Sequence, residues 1–270
     1  MKKKFSVAIL ISTYNWPEAL DMSVRSVWGQ TILPDEIIIA DDGSTEVTTL
    51  LIKRLASESP VPIKHIWQED LGFRKTKICN KALAVSACDY VLEIDGDVVL
   101  EHHFVEDHLS IAKPGYYVCG SRVLLTEKQT SEFFAKYSES KGPLKINSGI
   151  GGSLNSLRVG WLKHILKSIY GRDKGYLRGC NFAAWFSDFK KINGYNEDFF
   201  GWGKEDSELV SRLNNVGVEK MFLKFAGVVY HLYHELNNRE RCNENIKLLQ
   251  KTKDEAMTWC DNGIDKYLNK

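Results

Sequence analysis

Residues 90–97, Tyr90-Val91-Leu92-Glu93-Ile94-Asp95-Gly96-Asp97, run from an apolar strand directly into two carboxylates spaced i, i+2. An apolar stretch of strand length without polar alternation belongs in a sheet covered on both faces. The same pattern recurs upstream, at Phe5–Ser12, Glu36–Ala40 and Ile63–Trp67. Between these runs Pro17–Trp28 and Lys75–Ala87 carry helical signals, and Ser44 stands where it can cap a helix after the second strand. Strand and helix alternate, so the expected class is α/β, with a mostly parallel, Rossmann-like sheet flanked by helices. Ligands of such sheets lie beyond the carboxyl ends of the strands. Tyr14, Asp41-Asp42 and Asp95-Gly96-Asp97 all fall there, on one crevice.

The 270 residues suit one large domain, and 43% hydrophobic with 26% charged residues is the balance of a soluble globular chain. A net charge of +1 supplies no field for nucleic acid, so none is expected as a partner. Six cysteines without a CxxC pair point to buried thiols in a reducing compartment and to no thiolate zinc site. Three lysines ahead of an apolar run imitate a signal peptide. The run is short and no small-residue cleavage site follows it, so it reads as a first strand. No stretch approaches the ~18 apolar residues that span a bilayer. The expected location is cytoplasmic, with peripheral contact at the inner face of a membrane as an option.

The second half is less regular. Residues 141–155 are rich in Gly and Ser and read as a mobile loop. Arg158–Tyr170 reads as a basic amphipathic helix, with Trp161, Leu162, Ile165, Leu166 and Ile169 on one side and Arg158, Lys163 and Lys167 elsewhere. The ordinary expectation packs the apolar side on the core and solvates the basic one; the alternative is contact with a membrane surface or a lipid-linked acceptor. A strand near Asn181–Phe186, a helix from Glu205 to Asn214, a strand near Met221–Lys224 and a terminal helix complete the reading.

Two carboxylates at a strand end, Asp95 and Asp97 with Gly96 between them, can share a divalent cation that bridges a diphosphate. Asp41 and Asp42 end the second strand, where a carboxylate accepts hydrogen bonds from a ribose hydroxyl or a base N–H. Glycine-rich phosphate loops are absent, which leaves phosphate to a metal and to basic side chains, with Arg74, Lys75 and Lys77 as candidates. In Gly201-Trp202-Gly203-Lys204-Glu205-Asp206, glycines allow a tight path that presents the tryptophan as a platform for a sugar ring. The two acids then begin a helix, whose dipole helps keep Asp206 ionised as a base. His231 and His234 close an apolar strand, and imidazole beside carboxylate favours Mn²⁺ over Mg²⁺.

Taken in order, STYNWPEAL, ADDGS, QEDLGFRKTKICNKAL, EIDGDVVL, RGCNFAAWFSDFKKINGYNEDFFGWGKEDSEL and HLYH resemble the family-2 glycosyltransferases with a GT-A fold. The second half is similar to the carboxyl-terminal portion shared by β-1,4-galactosyltransferases and bacterial chondroitin-type polymerases. The resemblance implies that Thr13 and Tyr14 line a nucleobase pocket with Asn15 beside them, and that Asp42 or Asp41 binds uridine. It implies that Asp95 faces the ribose or sugar and that Asp97 and His234 hold the metal, with His231 a further candidate ligand. Asp206 is then the base, with Glu205, Trp202 and Gly203 at the acceptor and donor sugars. Relatives often carry arginine where this chain has Cys79, and Arg74 or Lys77 is the expected substitute.

The implied reaction is metal-dependent, inverting transfer of a hexose or N-acetylhexosamine from a UDP-sugar to a saccharide or lipid-linked glycan, in bacterial lipopolysaccharide or capsule synthesis. Residues 1–100 are the expected nucleotide-sugar half, 101–238 the acceptor and metal half of the same domain, and 239–270 a helical extension. The alternatives are a nucleotide-sugar-binding protein without catalysis and a sugar nucleotidyltransferase. Intact acids and His234 speak against the first, and Ser12–Pro17 is unlike the triphosphate loop the second needs.

Overall fold

The computed structural model describes residues 3–172, 179–235 and 242–268, with the side chains of Arg172 and Cys242 left aside. Arg178, which opens the RGCNF motif, lies outside them. The strand and helix signals of the first hundred residues become β1 (Val7–Thr13), α1 (Pro17–Trp28), β2 (Glu36–Asp41), α2 (Glu46–Glu58), β3 (Ile63–Trp67), α3 (Lys75–Ala84) and β4 (Tyr90–Asp95). Then follow β5 (Val98–Leu100), α4 (Phe104–Ile111), β6 (Tyr116–Gly120), β7 (Arg122–Leu124), α5 (Glu127–Tyr137) and α6 (Leu162–Leu166). The chain continues through β8 (Phe182–Trp185), α7 (Phe186–Lys191), α8 (Glu205–Asn215), β9 (Glu219–Leu223), β10 (Val229–His231) and α9 (Cys242–Asp254).

Seven strands form the main sheet in the order β3-β2-β1-β4-β8-β6-β9. The first four are mutually parallel, and β8 alone runs antiparallel to its neighbours β4 and β6. Burial on both faces follows from the period of two. Val7, Ile9 and Ile11 pack with Leu20, Val24 and Val27 of α1 on one side. Ala8 and Leu10 pack with Ile78, Ala82 and Leu83 of α3 on the other. A second sheet, β5-β10-β7, sets β10 antiparallel to β5 and parallel to β7. It carries His231 to the turn that holds Asp97.

Two clamps position the Trp202 region. Asn80 of α3 donates to the Tyr195 carbonyl at 2.8 Å and accepts from the Tyr195 N–H at 2.8 Å. Asn245 of α9 donates to the Gly203 carbonyl at 2.9 Å. Within α8, buried Arg212 donates from Nε and Nη2 to the two carboxylate oxygens of Glu208, each at 2.7 Å.

Four expectations are corrected. Ser44 does not cap α2: Thr45 is the capping position, and the Ser44 hydroxyl accepts from the Asn15 N–H instead. Helix α3 ends at Ala84, three residues early. The Gly/Ser-rich loop is pinned where Leu144 and Ile146 are buried, with the Leu144 N–H on the Arg25 carbonyl and the Ile146 carbonyl accepting from His102. Arg158–Tyr170 is helical only over Leu162–Leu166, and its polarity is reversed. Arg158 and Lys163 turn inward onto buried Asp107, while Trp161, Ile165 and Ile169 face out. A buried carboxylate without counter-charge is costly, and that demand outweighs the burial of three apolar side chains. The five described cysteines are free and buried, as expected of core thiols.

Candidate active site

The crevice floor is the carboxyl end of β1 and β4. Ser12 Oγ donates to Asp95 Oδ1 at 2.9 Å, and the Gly96 N–H bonds the Ser12 carbonyl at 2.7 Å. A Cβ on Gly96 would lie 3.0 Å from Thr13 Oγ1 and 3.1 Å from the Ser12 carbonyl oxygen, so a larger residue in the turn between the two carboxylates would require those neighbours to give. Lys75, the first residue of α3, reaches across to Asp95 Oδ1 at 2.6 Å.

At the second strand the adjacent acids differ. Asp41 is fully buried, accepting from the Ser44 N–H at 2.8 Å and facing His65 Nε2 at 3.0 Å, so it shapes the turn. Asp42 accepts from Gln68 Nε2 at 2.6 Å and from the Arg74 N–H at 2.7 Å, and burial raises its pKa. Tyr14 is 53% exposed and hydrogen-bonds Asp70 through its hydroxyl. Asn15, at φ +47°, accepts from the Thr45 N–H through its side chain. Arg74 turns its guanidinium to the Glu69 carbonyl, and neither it nor Lys77 makes an ion pair with Asp95 or Asp97. Of the three basic candidates, Lys75 is the one that pairs with Asp95.

Asp97, His231 and His234 offer ligand atoms that all lie within 4.8 Å of one another. Nε2 of His231 is 3.7 Å and that of His234 3.2 Å from the Asp97 carboxylate. Each ring is oriented from behind, by Nδ1 on the Leu232 carbonyl at 2.9 Å and on the Glu235 carbonyl at 2.6 Å. Such carbonyls fix ring orientation and leave Nε2 for a ligand. Asp97 Oδ1 is buried without a hydrogen-bond partner, and the Asp97 hydrogen bond raises His234 to about 9. One carboxylate and two oriented imidazoles, with Asp97 Oδ1 unsatisfied, fit a borderline divalent cation and would leave its remaining positions to substrate and water.

The Trp202 turn owes its shape to positive φ at Gly201 (77°), Gly203 (111°) and Lys204 (76°). Trp202 remains partly exposed, and α8 begins at Glu205. Asp206 Oδ2 accepts from the Gly179 N–H at 3.0 Å, whereas buried Oδ1 has no partner. Burial raises the Asp206 pKa; Lys75, the Gly179 N–H and Arg122 oppose this. The net shift is upward: burial outweighs the two cations, against the expectation from sequence that the helix start keeps Asp206 ionised. Glu205 accepts from the Gly203 N–H at 2.9 Å, and burial together with Asp206 raises it to about 7.

Two groups, Arg122 and Glu93, escaped sequence reasoning. Arg122, opening β7, makes no ion pair among the described residues, and its Nε is buried and unpartnered. Its charge acts on Asp206 and on the Cys180 thiol. Lys75 could be found only as one of three basic candidates. Glu93, inside β4, is fully buried, bonded by the Tyr195 hydroxyl at 2.9 Å on both oxygens, and raised by burial from 4.5 to about 8. A charged residue inside an apolar strand was the one available signal.

The sign of that shift gives a prediction. A carboxyl with a raised folded pKa contributes stability that is fully present below 4.5 and is lost as pH rises toward 8. Glu93→Gln keeps an acceptor for Tyr195 and removes the titration. The expected result is a flatter melting temperature between those limits and a higher one than wild type above pH 8. Parallel pH dependence of the two proteins in thermal denaturation would refute it.

The sequence matches the description "Glycosyl transferase family 2" over residues 8–170 and "N-terminal domain of galactosyltransferase" over residues 168–235. Similar proteins include validoxylamine A glucosyltransferase of Streptomyces hygroscopicus subsp. limoneus, 26% identical over 78% of this chain and 48% of that protein. Chondroitin synthase of Pasteurella multocida is 24% identical over 86% of this chain and 25% of that protein. The chain thus spans about half or less of the length of these relatives. Among solved structures, a mannosyltransferase from Pyrobaculum calidifontis in complex with GDP-Man and Mn²⁺ has a TM-score of 0.62 at 15% identity, covering 94% of this chain and 69% of that one. TarS of S. aureus 1–349 in complex with UDP has a TM-score of 0.60 at 14% identity, covering 93% and 69%. These likenesses show the fold.

Proposed function

We propose, from the premise that the chain belongs to glycosyl transferase family 2, that it moves a hexose or N-acetylhexosamine from a UDP-sugar to a saccharide acceptor, inverting the donor linkage to β. What supports this reading is the cluster of Asp97, His231 and His234 close after the Asp95–Lys75 ion pair, together with the electrostatic influence between Lys75 and buried Asp206. Residues 1–100 supply the nucleotide half and 101–238 the acceptor half, with 239–270 as a brace.

In this reading the Tyr14 ring, Thr13 and Asn15 border the uracil, and Asp42 accepts its N–H. Asp95, held by Lys75 and Ser12, faces the ribose and the transferred sugar. Asp97 and His234, joined by His231, hold Mn²⁺ or Mg²⁺, which when bound supplies neutralisation of pyrophosphate charge. Trp202 stacks on a sugar, Glu205 fixes a hydroxyl, and the free Oδ1 of Asp206 receives the acceptor proton as the new bond forms. The pinned Gly/Ser-rich segment packs through Leu144 and Ile146 against Tyr230 and Leu232, which flank His231. The acceptor is a saccharide or lipid-linked glycan of a bacterial surface polymer, lipopolysaccharide or capsule, made on the cytoplasmic side of a membrane.

The test is a thermal-shift screen of UDP-sugars and GDP-mannose with and without Mn²⁺, followed by product analysis. Expected are stabilisation by UDP-sugars that grows with Mn²⁺, and release of UDP without pyrophosphate. Pyrophosphate release would identify a nucleotidyltransferase, selective stabilisation by GDP-mannose would overturn the uridine assignment, and no stabilisation by any donor would overturn the reading.

A further inference from the structure

Residues 141–172 contain Lys141, Lys145, Arg158, Lys163, Lys167 and Arg172 and no acidic residue. Two of these cations are spent internally. Arg158 places Nε at 2.9 Å and Nη2 at 2.8 Å from the oxygens of buried Asp107, and Lys163 Nζ lies 2.6 Å from the same carboxylate. The Gly227 N–H adds a further bond at 3.0 Å. Backbone bonds from Val159 to the Phe225 carbonyl and from Phe222 to the Lys167 carbonyl fasten the segment at two more points.

The outcome is an inverted amphipathic element, charged inward and apolar outward, held in one orientation. Its outer side shows Leu154 at 72%, Trp161 at 65%, Ile165 at 58% and Ile169 at 52% exposure. Lys141 and Lys145 stand exposed at its start. Apolar side chains including a tryptophan, set among cations with no acid between them, match the boundary between acyl chains and anionic headgroups. The cations that this stretch leaves exposed, Lys141 and Lys145, favour an anionic surface over an uncharged one.

We infer that this face docks the protein on a bilayer containing anionic lipid. The inference deepens the transfer reading by placing the acceptor among lipid-linked glycans. The same segment sends Leu144 and Ile146 into the cluster that holds Tyr230 and Leu232, on either side of His231. Among the described residues no helix is long and apolar enough to cross a membrane, so attachment through this face is peripheral.

The experiment is co-sedimentation of the full chain with phosphatidylcholine vesicles and with vesicles also containing phosphatidylglycerol, in the absence of donor. Expected is binding to the anionic vesicles that weakens with salt. The double variant Trp161→Ser, Ile165→Ser should bind roughly ten-fold or more weakly, and Lys145→Glu, at an exposed position between buried Leu144 and Ile146, should also lose affinity. No sedimentation with either vesicle, or equal binding by wild type and both variants, would overturn the inference. So would a dimer in solution that the double variant dissolves while wild type ignores lipid. Vesicle binding needs no transfer, so failure of the donor screen above leaves this result standing, and the two failures are told apart.

Discussion

Asp206→Asn should lower turnover by roughly 10²–10⁴-fold, the usual contribution of a positioned base, while UDP binding stays within experimental error of wild type. Asn retains an oxygen for the Gly179 N–H that Asp206 Oδ2 accepts at 3.0 Å. It cannot take a proton at the position of the unpartnered Oδ1. The substitution also removes one negative charge from a cluster that Lys75 serves, so folding should not suffer. Glu205→Gln is the informative comparison. Glu205 lies in the same helical turn and is already engaged by the Gly203 N–H. Its loss should therefore weaken acceptor use more than it slows saturated turnover. Steady-state rates and UDP titration on both variants check the assignment; near-wild-type turnover in Asp206→Asn would remove Asp206 from the base role.

Replacing Asp97 by Ala, or His234 by Ala, should abolish the rise of melting temperature with Mn²⁺ and cost turnover about 10²–10³-fold. That figure follows from several kcal/mol of charge stabilisation at about 1.4 kcal/mol per decade. Ligand-linked stabilisation disappears when the native state loses its site. Asp97 and His234 face each other at 3.2 Å, and the carboxylate holds the imidazole proton up to about 9. A cation has to displace that proton, so apparent Mn²⁺ affinity should rise with pH up to that value. His231→Ala should have a smaller effect, because its Nε2 stands farther from Asp97, at 3.7 Å. Mn²⁺ titration followed by thermal shift and by rate measures all three variants. Undiminished Mn²⁺ stabilisation in Asp97→Ala would place the cation elsewhere.

Much of this arrangement could be read from residue order. Unbroken apolar runs located β1 to β4, and the polar residues at their ends became the crevice, because a parallel sheet admits few other placements. The glycines around Trp202 pointed to a turn that does carry positive φ. What sequence could not supply was pairing between distant charges. Lys75, Arg74 and Lys77 look alike in a string, and only the start of α3 decides which of them meets Asp95. Arg122 and Glu93 gain their meaning from Asp206 and Tyr195, which arrive from far along the chain. The segment after Arg158 was misread for the same reason. Its periodicity was visible, whereas the buried Asp107 that captures its basic side was not.

Strands β5 and β10 lie far apart in the chain, yet their pairing brings His231 beside the turn that holds Asp97. A chain cut before β10 therefore lacks both imidazoles of the Asp97, His231 and His234 cluster, whatever its first half retains.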